Sequence, residues 1–416
     1  MKLKMTMSSS LVFFLLILST ESVLPGDWPQ WRGPSRNGIS EETDILKKWP
    51  ASGPRIMWRI PIGAGYSGIS VSGNAAYTMW DADGEQLLLR LDILTGKEIW
   101  RQKISQTFDS SWGNGPRSSP AVSDGLVYAI SADGKMVAVS VQSGQLRWKH
   151  DLIMEFGGRI PSYGYASSPL VEKDKIFVEV GAEDSAFMAF DKKNGAVIWN
   201  SQTDQPAYSS PIAISLNGQR QILFWSASGF HAVNPENGTL LWQHPWQTSC
   251  PSTGIPVNSM TPIFIGPDKI FISNGYGTWV GSAVFQIQHA ENTFLPKTLW
   301  QTKKMKNLIN SSVFYKGHIY GFDKGIFKCI ETKAGEVKWQ ARGFQRGSLI
   351  LVAGHLIVLG ERGKLALVEA NPDRYVEKAS VQIMDGRCWT APSLADGRLY
   401  LRNSEEMLCL DFTMEQ

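Results

Sequence analysis

Short apolar runs alternate with polar residues along most of this chain, and turns marked by Gly or Asp cut them at close intervals. That period belongs to strands joined by hairpins, not to amphipathic helices. The stretch SSPAVSDGLVYAISADGKMVAVS, from Ser118 to Ser140, shows one passage, with Asp124-Gly125 and Asp133-Gly134 as the turns between three strands. A fourth strand then ends on tryptophan. LDILTGKEIW, closing at Trp100, returns as VSVQSGQLRW at Trp148, FDKKNGAVIW at Trp199, VNPENGTLLW at Trp242 and IETKAGEVKW at Trp339, always with Gly four residues ahead of Trp. Trp58 and Trp300 fall where the period expects them, although their Gly is missing or displaced. Most units open on a small residue and Pro: Ser119-Pro120, Ser168-Pro169, Ser210-Pro211, Thr261-Pro262 and Ala391-Pro392. A four-stranded repeat of this length is a propeller blade, not a helical solenoid unit.

In the recurring motif, Asp92 opens a tight turn by accepting backbone N–H bonds, Thr95 supports it and Gly96 supplies a positive φ. Trp100 then faces a neighbouring blade as a wedge, and Trp58, Trp148, Trp199, Trp242, Trp300 and Trp339 take the same structural role. Units begin near Tyr66, Arg117, Ala166, Tyr208, Ser259, Asn310 and Arg346. After Met384, RCWTAPSLADGRLYLRNSEEMLCLDF supplies three strands and no fourth, while PRIMWRI around Trp58 offers the missing outer one. Sharing one blade between the two ends removes the free sheet edges of an open array. The expected fold is all-β, an eight-bladed β-propeller of four-stranded antiparallel blades closed by N- and C-terminal strands sharing one blade. A seven-bladed ring with an extra hairpin is the alternative.

The start of the chain departs from this pattern: Lys2 and Lys4 precede the apolar run LVFFLLIL, and the small residues Thr20 and Ser22 follow. We read residues 1–22 as a signal peptide, 23–54 as an N-terminal extension and 55–416 as the propeller. The apolar run is too short to span a bilayer and no Cys follows it to carry a lipid. An exported monomer without a membrane span, periplasmic or extracellular, is the expectation. Charged residues make up 19% of the chain and the formal net charge is +3, with no basic run, so nucleic acid is not an expected partner. Cys250, Cys329, Cys388 and Cys409 show neither an adjacent pair nor a CxxC spacing. Cys329 and Cys409 stand where other units carry Ala138, Ala189 and Ala232, and read as small buried hydrophobes. Cys250 and Cys388 have no evident partner.

The motif A-x-D-x-x-T-G-x-x-x-W, present as RLDILTGKEIW and AFDKKNGAVIW, resembles the repeat of PQQ-type (pyrroloquinoline quinone) β-propellers over essentially residues 55–412. DWPQWRGPSRNGIS, Asp27 to Ser40, is similar to an N-terminal segment of secreted bacterial proteins of that repeat group. The resemblance implies the propeller and leaves two functional groups open. Quinoprotein dehydrogenases of the group hold PQQ and calcium at the channel mouth, where an Asp takes a proton from an alcohol or sugar. Scaffold members, such as the propeller lipoprotein of the outer-membrane β-barrel assembly machinery, bind other proteins. This chain departs from the dehydrogenase pattern in having no Cys-Cys pair, no long insertions and few carboxylates on channel-side loops, Asp109 and Glu155 being the nearest.

Residues ahead of the inner strands converge on one channel mouth: Tyr66, Trp112, Arg117, Tyr163, Tyr165, Tyr208, Asn258, Asn310, Arg346, Arg387 and Trp389. This candidate ligand-binding ring is aromatic, amide and cationic, with no His and no acid. Its arginines suit a carboxylate of a peptide, sugar acid or quinone, and its aromatics suit a sugar or a partner's surface. No catalytic residue or metal ligand is assigned: the six His are scattered, and GAGYSG at Gly63 precedes a strand and lacks a P-loop Lys. The expectation is a binding or scaffold module without catalysis or cofactor, whose partner is a protein or a small anionic or carbohydrate ligand. A dehydrogenase using PQQ and calcium is the alternative. A carbohydrate-binding or hydrolytic propeller, which needs paired carboxylates at the mouth, comes third.

Overall fold

A computed structural model describes residues 26–246, 248, 257–277, 281–291 and 293–414. The expected signal peptide and Cys250 lie outside the described residues. Eight four-stranded antiparallel blades surround a channel: residues 70–106, 121–151, 170–201, 212–245, 263–302, 313–341 and 348–382 form blades one to seven. Blade eight takes three strands from residues 393–411 and its outer strand, Ile56–Pro61, from the other end of the chain. The eight-bladed closure expected from the sequence is the one observed, and the seven-bladed alternative is not. No helix of the described residues is long and apolar enough to cross a membrane.

The Gly-Trp repeat is the joint between blades. Asp92 Oδ1 accepts from Leu94 N, Thr95 N and Thr95 Oγ1 at 2.7 to 3.1 Å, and Gly96 adopts φ 69°. The Thr95 hydroxyl, first among these donors, holds the Asp92 carboxyl below its ordinary range. A Cβ on Gly96 would stand 2.8 Å from the Trp58 ring of the preceding blade, and Gly144, Gly195, Gly238 and Gly335 lie in the same way against Trp100, Trp148, Trp199 and Trp300. Glycine is thus needed twice, for its positive φ and for the space its missing side chain leaves to the neighbour's indole. The indoles also donate Nε1–H to the next blade's turn: Trp58 to Ile93 O, Trp100 to Val141 O, Trp148 to Lys192 O, Trp199 to Pro235 O and Trp300 to Thr332 O, at 2.8 to 3.2 Å. Trp339 reaches Asn371 O of blade seven likewise.

Trp242 is the exception and donates to Gln221 Oε1 of its own blade. Blade five joins its outer strands, Gly281–Ala290 and Thr293–Thr302, by a long hairpin and so lacks the Gly-bearing turn that Trp242 would meet. Across five outer ladders a small residue faces the Trp: Ala138, Ala189, Ala232, Cys329 and Cys409 pair with Trp148, Trp199, Trp242, Trp339 and Trp58, whereas Trp100 faces Arg90 and Trp300 faces Val284. The two cysteines are buried small side chains, as expected, and burial pushes their thiols up to about 12.

The serines ahead of Pro in blades two to four, together with Ser311 at the equivalent place in blade six, form a belt around the channel. Ser119 Oγ accepts Gly68 N, Ser168 Oγ accepts Ser119 N, Ser210 Oγ accepts Ser168 N and Ser311 Oγ accepts Thr261 N, at 2.8 to 3.0 Å. Each hydroxyl ties its blade to the one before. The prolines that follow sit at the inner sheet edge, where the missing N–H costs no ladder bond.

The N-terminal segment crosses the far end of the channel as a strap. Trp28 bridges Val71 of blade one, Pro29 O accepts Val122 N of blade two, and Gly26 O accepts Asp396 N of blade eight. Arg36 donates to Ser168 O and Pro169 O of blade three, and Arg32 to Ser311 O and Ser312 O of blade six, at 2.6 to 3.2 Å. Ile39–Ser40 then adds a parallel strand to the inner edge of blade seven. Arg32 and Arg36 are only 5% and 2% exposed, and among the described residues neither meets a carboxylate. Innermost strands turn unpaired carbonyls toward the channel, and two planar guanidinium forks satisfy them. Burial lowers both groups to about 9, which leaves them charged at neutral pH.

Candidate functional site

Loops that lead from one blade's outer strand to the next blade's inner strand open on the face opposite the strap. Tyr66, Trp112, Arg117, Tyr163, Tyr208, Asn310, Arg346 and Trp389 surround one cavity there of about 260 Å3, and Trp31 of the strap also lines it. Trp31 Nε1 is held by Thr261 Oγ1 at 2.9 Å. The channel is therefore a cup, open at the mouth and floored by an indole. Ring centroids of Tyr66 and Trp389 lie 5.3 Å apart, and Trp112 lies 6.3 Å from Trp389. In a ring of eight, blade four stands opposite blade eight; Tyr208 ahead of blade four lies 5.7 Å from Tyr163 ahead of blade three.

The three arginines of the expected ring differ sharply. Arg117 donates to Gly113 O and Gly115 O and sits 5.2 Å over the Phe108 ring and 5.9 Å over Tyr66. Burial lowers its pKa, against the nearby Tyr66 and Tyr208 hydroxyls. Arg387 lies on the rim, outside the cavity lining, 4.4 Å over Trp389, and donates to Tyr66 Oη at 3.3 Å and Trp112 O at 3.2 Å. Arg346 lines the cavity, and its guanidinium makes no hydrogen bond or ion pair among the described residues. Burial pushes the neighbouring Tyr276 hydroxyl up to about 12, against the charge of Arg346.

Two expected ring members lie elsewhere. Tyr165 turns into the core between blades two and three, into space left by Gly134 and Gly158, and donates its hydroxyl to Val180 O at 2.7 Å. Asn258 is buried, donates Nδ2–H to Ser226 O at 2.7 Å and accepts from the Thr248 hydroxyl, so it braces a loop and faces no ligand. The expected absence of acid at the mouth is also corrected. Glu361 Oε1 accepts Trp389 Nε1–H at 2.9 Å and its Oε2 accepts Arg346 N at 3.3 Å. Glu361 and Tyr276 both follow the second strand of their blades, at turns that share the mouth face with the loops. Both therefore lie outside the loops that precede the inner strands. Trp31 carried no signal of its own, since the extension lies outside the repeat register.

Beneath this wall sits Glu179, buried at the end of the second strand of blade three. Its Oε1 accepts Ala207 N at 3.2 Å and its Oε2 has no partner among the described residues, and burial raises its pKa well above the ordinary carboxylate value. A raised carboxyl pKa means that the folded chain holds the proton to higher pH than the unfolded chain, so stability declines as pH rises from the unfolded value through the folded one. Glu179→Gln should therefore melt at a higher temperature than the parent at pH 8, with the difference closing near pH 4. Thermal melts across that range check it; a Gln variant less stable at pH 8 would contradict the assignment.

Comparison with known proteins follows this architecture. The PQQ_2 family, described as outer membrane protein assembly factor BamB, matches residues 48–162 and 84–341. The chain belongs to this family. It is 26% identical over 372 residues to the BamB of Yersinia pestis, across 84% of this chain and 86% of that one. With the BamB of Moranella endobia (strain PCIT) it shares 28% identity over 181 residues, a match that spans 40% of that relative. A quinone alcohol dehydrogenase subunit of Gluconobacter oxydans is 23% identical over 233 residues, 50% of this chain and 28% of the subunit. The crystal structure of BamB from Moraxella catarrhalis aligns with a TM-score of 0.60 at 12% identity, over 87% of this chain and 100% of that one, a likeness of fold alone. In this BamB-family propeller, no three His, Cys, Asp or Glu among the described residues are placed to hold a metal ion.

Proposed function

We propose that this BamB-family propeller is an exported binding module without catalytic activity, which holds a protein or a small anionic or carbohydrate ligand at the channel mouth. The observation that carries this reading is the division of labour between residues. Those that recur from blade to blade are consumed in joints and belt, and those that differ converge on one cup whose rim leaves Trp112 48% exposed. Aromatic anchors beside a cationic pocket are the composition of an interface centre. That the relatives are outer membrane protein assembly factors supports the same reading.

The dehydrogenase alternative needs calcium, which takes several converging oxygen ligands. Among the described residues no carboxylate lines the cavity, and Glu361 beside it accepts from Trp389 Nε1 and the Arg346 backbone N. That donor set does not fit a calcium–quinone pair, so no oxidation step is derived. Two measurements test the proposal. Purified protein given PQQ and calcium should show no change in the quinone spectrum, no thermal shift and no dye-linked oxidation of alcohols or sugars; positive results would overturn it. Capture of a partner from the exported fraction should fall at least tenfold with Trp112→Ala, and capture indifferent to that change would move the contact face elsewhere.

A further inference from the structure

The cup is more selective than a general contact face. Three features narrow what it takes. First, it is blind: Trp31 floors it and the strap binds the inner strands of blades three and six beneath, so a ligand enters and leaves by the mouth. Second, among the described residues only Arg346 of the three mouth arginines has an unengaged guanidinium: Arg117 bonds two carbonyls through its Nη atoms, and Arg387 bonds the Tyr66 hydroxyl and the Trp112 carbonyl through Nη1. Third, the wall alternates rings with hydroxyls. Ser168 and Ser210 accept amides through Oγ, and their hydroxyl protons go to no described acceptor.

We propose that the cup binds a single carboxylated sugar ring, a hexuronate or a close relative, with its apolar face on the Trp389–Tyr66 wall and its carboxylate on Arg346. This rests on the reading of the mouth as the contact face. One unengaged guanidinium matches one carboxylate, and a bidentate Arg–carboxylate pair fixes orientation. Aromatic faces accept the C–H face of a pyranose, while serine hydroxyls donate to its ring hydroxyls, a combination that a flat aromatic acid would not use. A cavity of about 260 Å3 is slightly below the usual small-ligand range, which suits one ring and not a chain of them. Glu361 acts here as a positioning residue: by accepting Trp389 Nε1–H and Arg346 N it sets the stacking wall and the cation relative to each other.

The test uses the full mature chain, with tryptophan fluorescence and calorimetry as readouts, since Trp31, Trp112 and Trp389 all line the cup. Probes are D-glucuronate, D-galacturonate, a short oligouronide, D-glucose, D-galactose and benzoate. Saturable binding of a uronate, at least tenfold tighter than the matching neutral sugar and than benzoate, is expected. A monosaccharide that binds as well as the oligouronide marks a free sugar acid as the source, and the reverse marks a chain end. Arg346→Ala should lose that tenfold preference while its melting temperature stays at the parent value, because the side chain holds nothing else, and Arg346→Lys should recover part of it. Glu361→Gln should weaken the uronate and the neutral sugar together, which loss of charge alone would not do. Equal affinity for neutral sugar, tighter binding of benzoate, or no saturable uronate response at the highest soluble concentration overturns the assignment. If uronates fail while Trp112-dependent partner capture persists, the mouth remains a contact face and only the sugar-acid assignment falls; if both fail, the functional reading falls with it.

Discussion

Trp199→Ala is expected to cost about 3–5 kcal/mol of stability, the range for removing a large buried aromatic side chain. The ring is 6% exposed, and two further losses accompany the cavity: the 3.0 Å bond from Nε1 to Pro235 O, and the contact that seats Gly238 of the next blade. Gly238→Ala should also destabilise, by about 1–2 kcal/mol for its positive φ and more for the overlap with the indole. Its new Cβ would stand 2.7 Å from the Trp199 ring at a φ of 72°. The pair must then be non-additive, since removing the ring removes the overlap. The Gly238→Ala and Trp199→Ala double variant should be less destabilised than the sum of the singles by about 1 kcal/mol or more, as residues in direct contact generally are. Chemical denaturation of the four proteins measures this. Strict additivity would show that the indole and the glycine do not share a joint.

Arg32→Met should lower stability by about 2–4 kcal/mol, because buried carbonyls left unpaired each cost about 1–3 kcal/mol and the relief of burying a charge offsets only part of that. The carbonyls concerned are Asn37 O, Ser311 O and Ser312 O. The effect should be local in hydrogen exchange. Gly38 N, bonded to Arg32 O, and Leu351 N, bonded to Gly38 O, should exchange faster, while amides in blades three and four keep their protection. Arg32→Lys should fall between the two, since an ammonium keeps the charge but cannot span two strands as a guanidinium fork does. A Met variant with parental stability and unchanged exchange at Leu351 would mean that the strap is not held by this residue.

The architecture was legible because a propeller repeats its joint. Asp92, Gly96 and Trp100 recur in register, and each residue type answers a local demand: a turn acceptor, a positive φ and a ring broad enough to fill the gap between blades. Cys329 and Cys409 were placed correctly for the same reason, since they occupy the ladder position opposite Trp that holds Ala in blades two, three and four. Register and ring closure followed from counting. The mouth was partly legible: loops before inner strands had to share one face, which put Tyr66, Arg117, Tyr208 and Arg346 around the cavity.

What lay beyond the sequence is set by where side chains turn and by contacts between distant segments. Tyr163 and Tyr165 are two residues apart, yet one lines the cup and the other fills the core, because Gly134 and Gly158 open space for a ring only on the inner side. Glu361 reaches Trp389 through a turn between strands, a contact that no local pattern encodes. The strap shows this most plainly. Read along the chain, WRGPSRNG is a polar stretch ahead of the propeller; in three dimensions its two arginines saturate carbonyls of blades three and six, and Trp31 closes the channel. Periodicity fixed the ring and its joints, since those interactions run between equivalent residues. The floor, the unengaged Arg346 guanidinium and the buried Glu179 arise from non-equivalent segments meeting across the channel, where a hydrogen-bond partner is chosen by proximity in space.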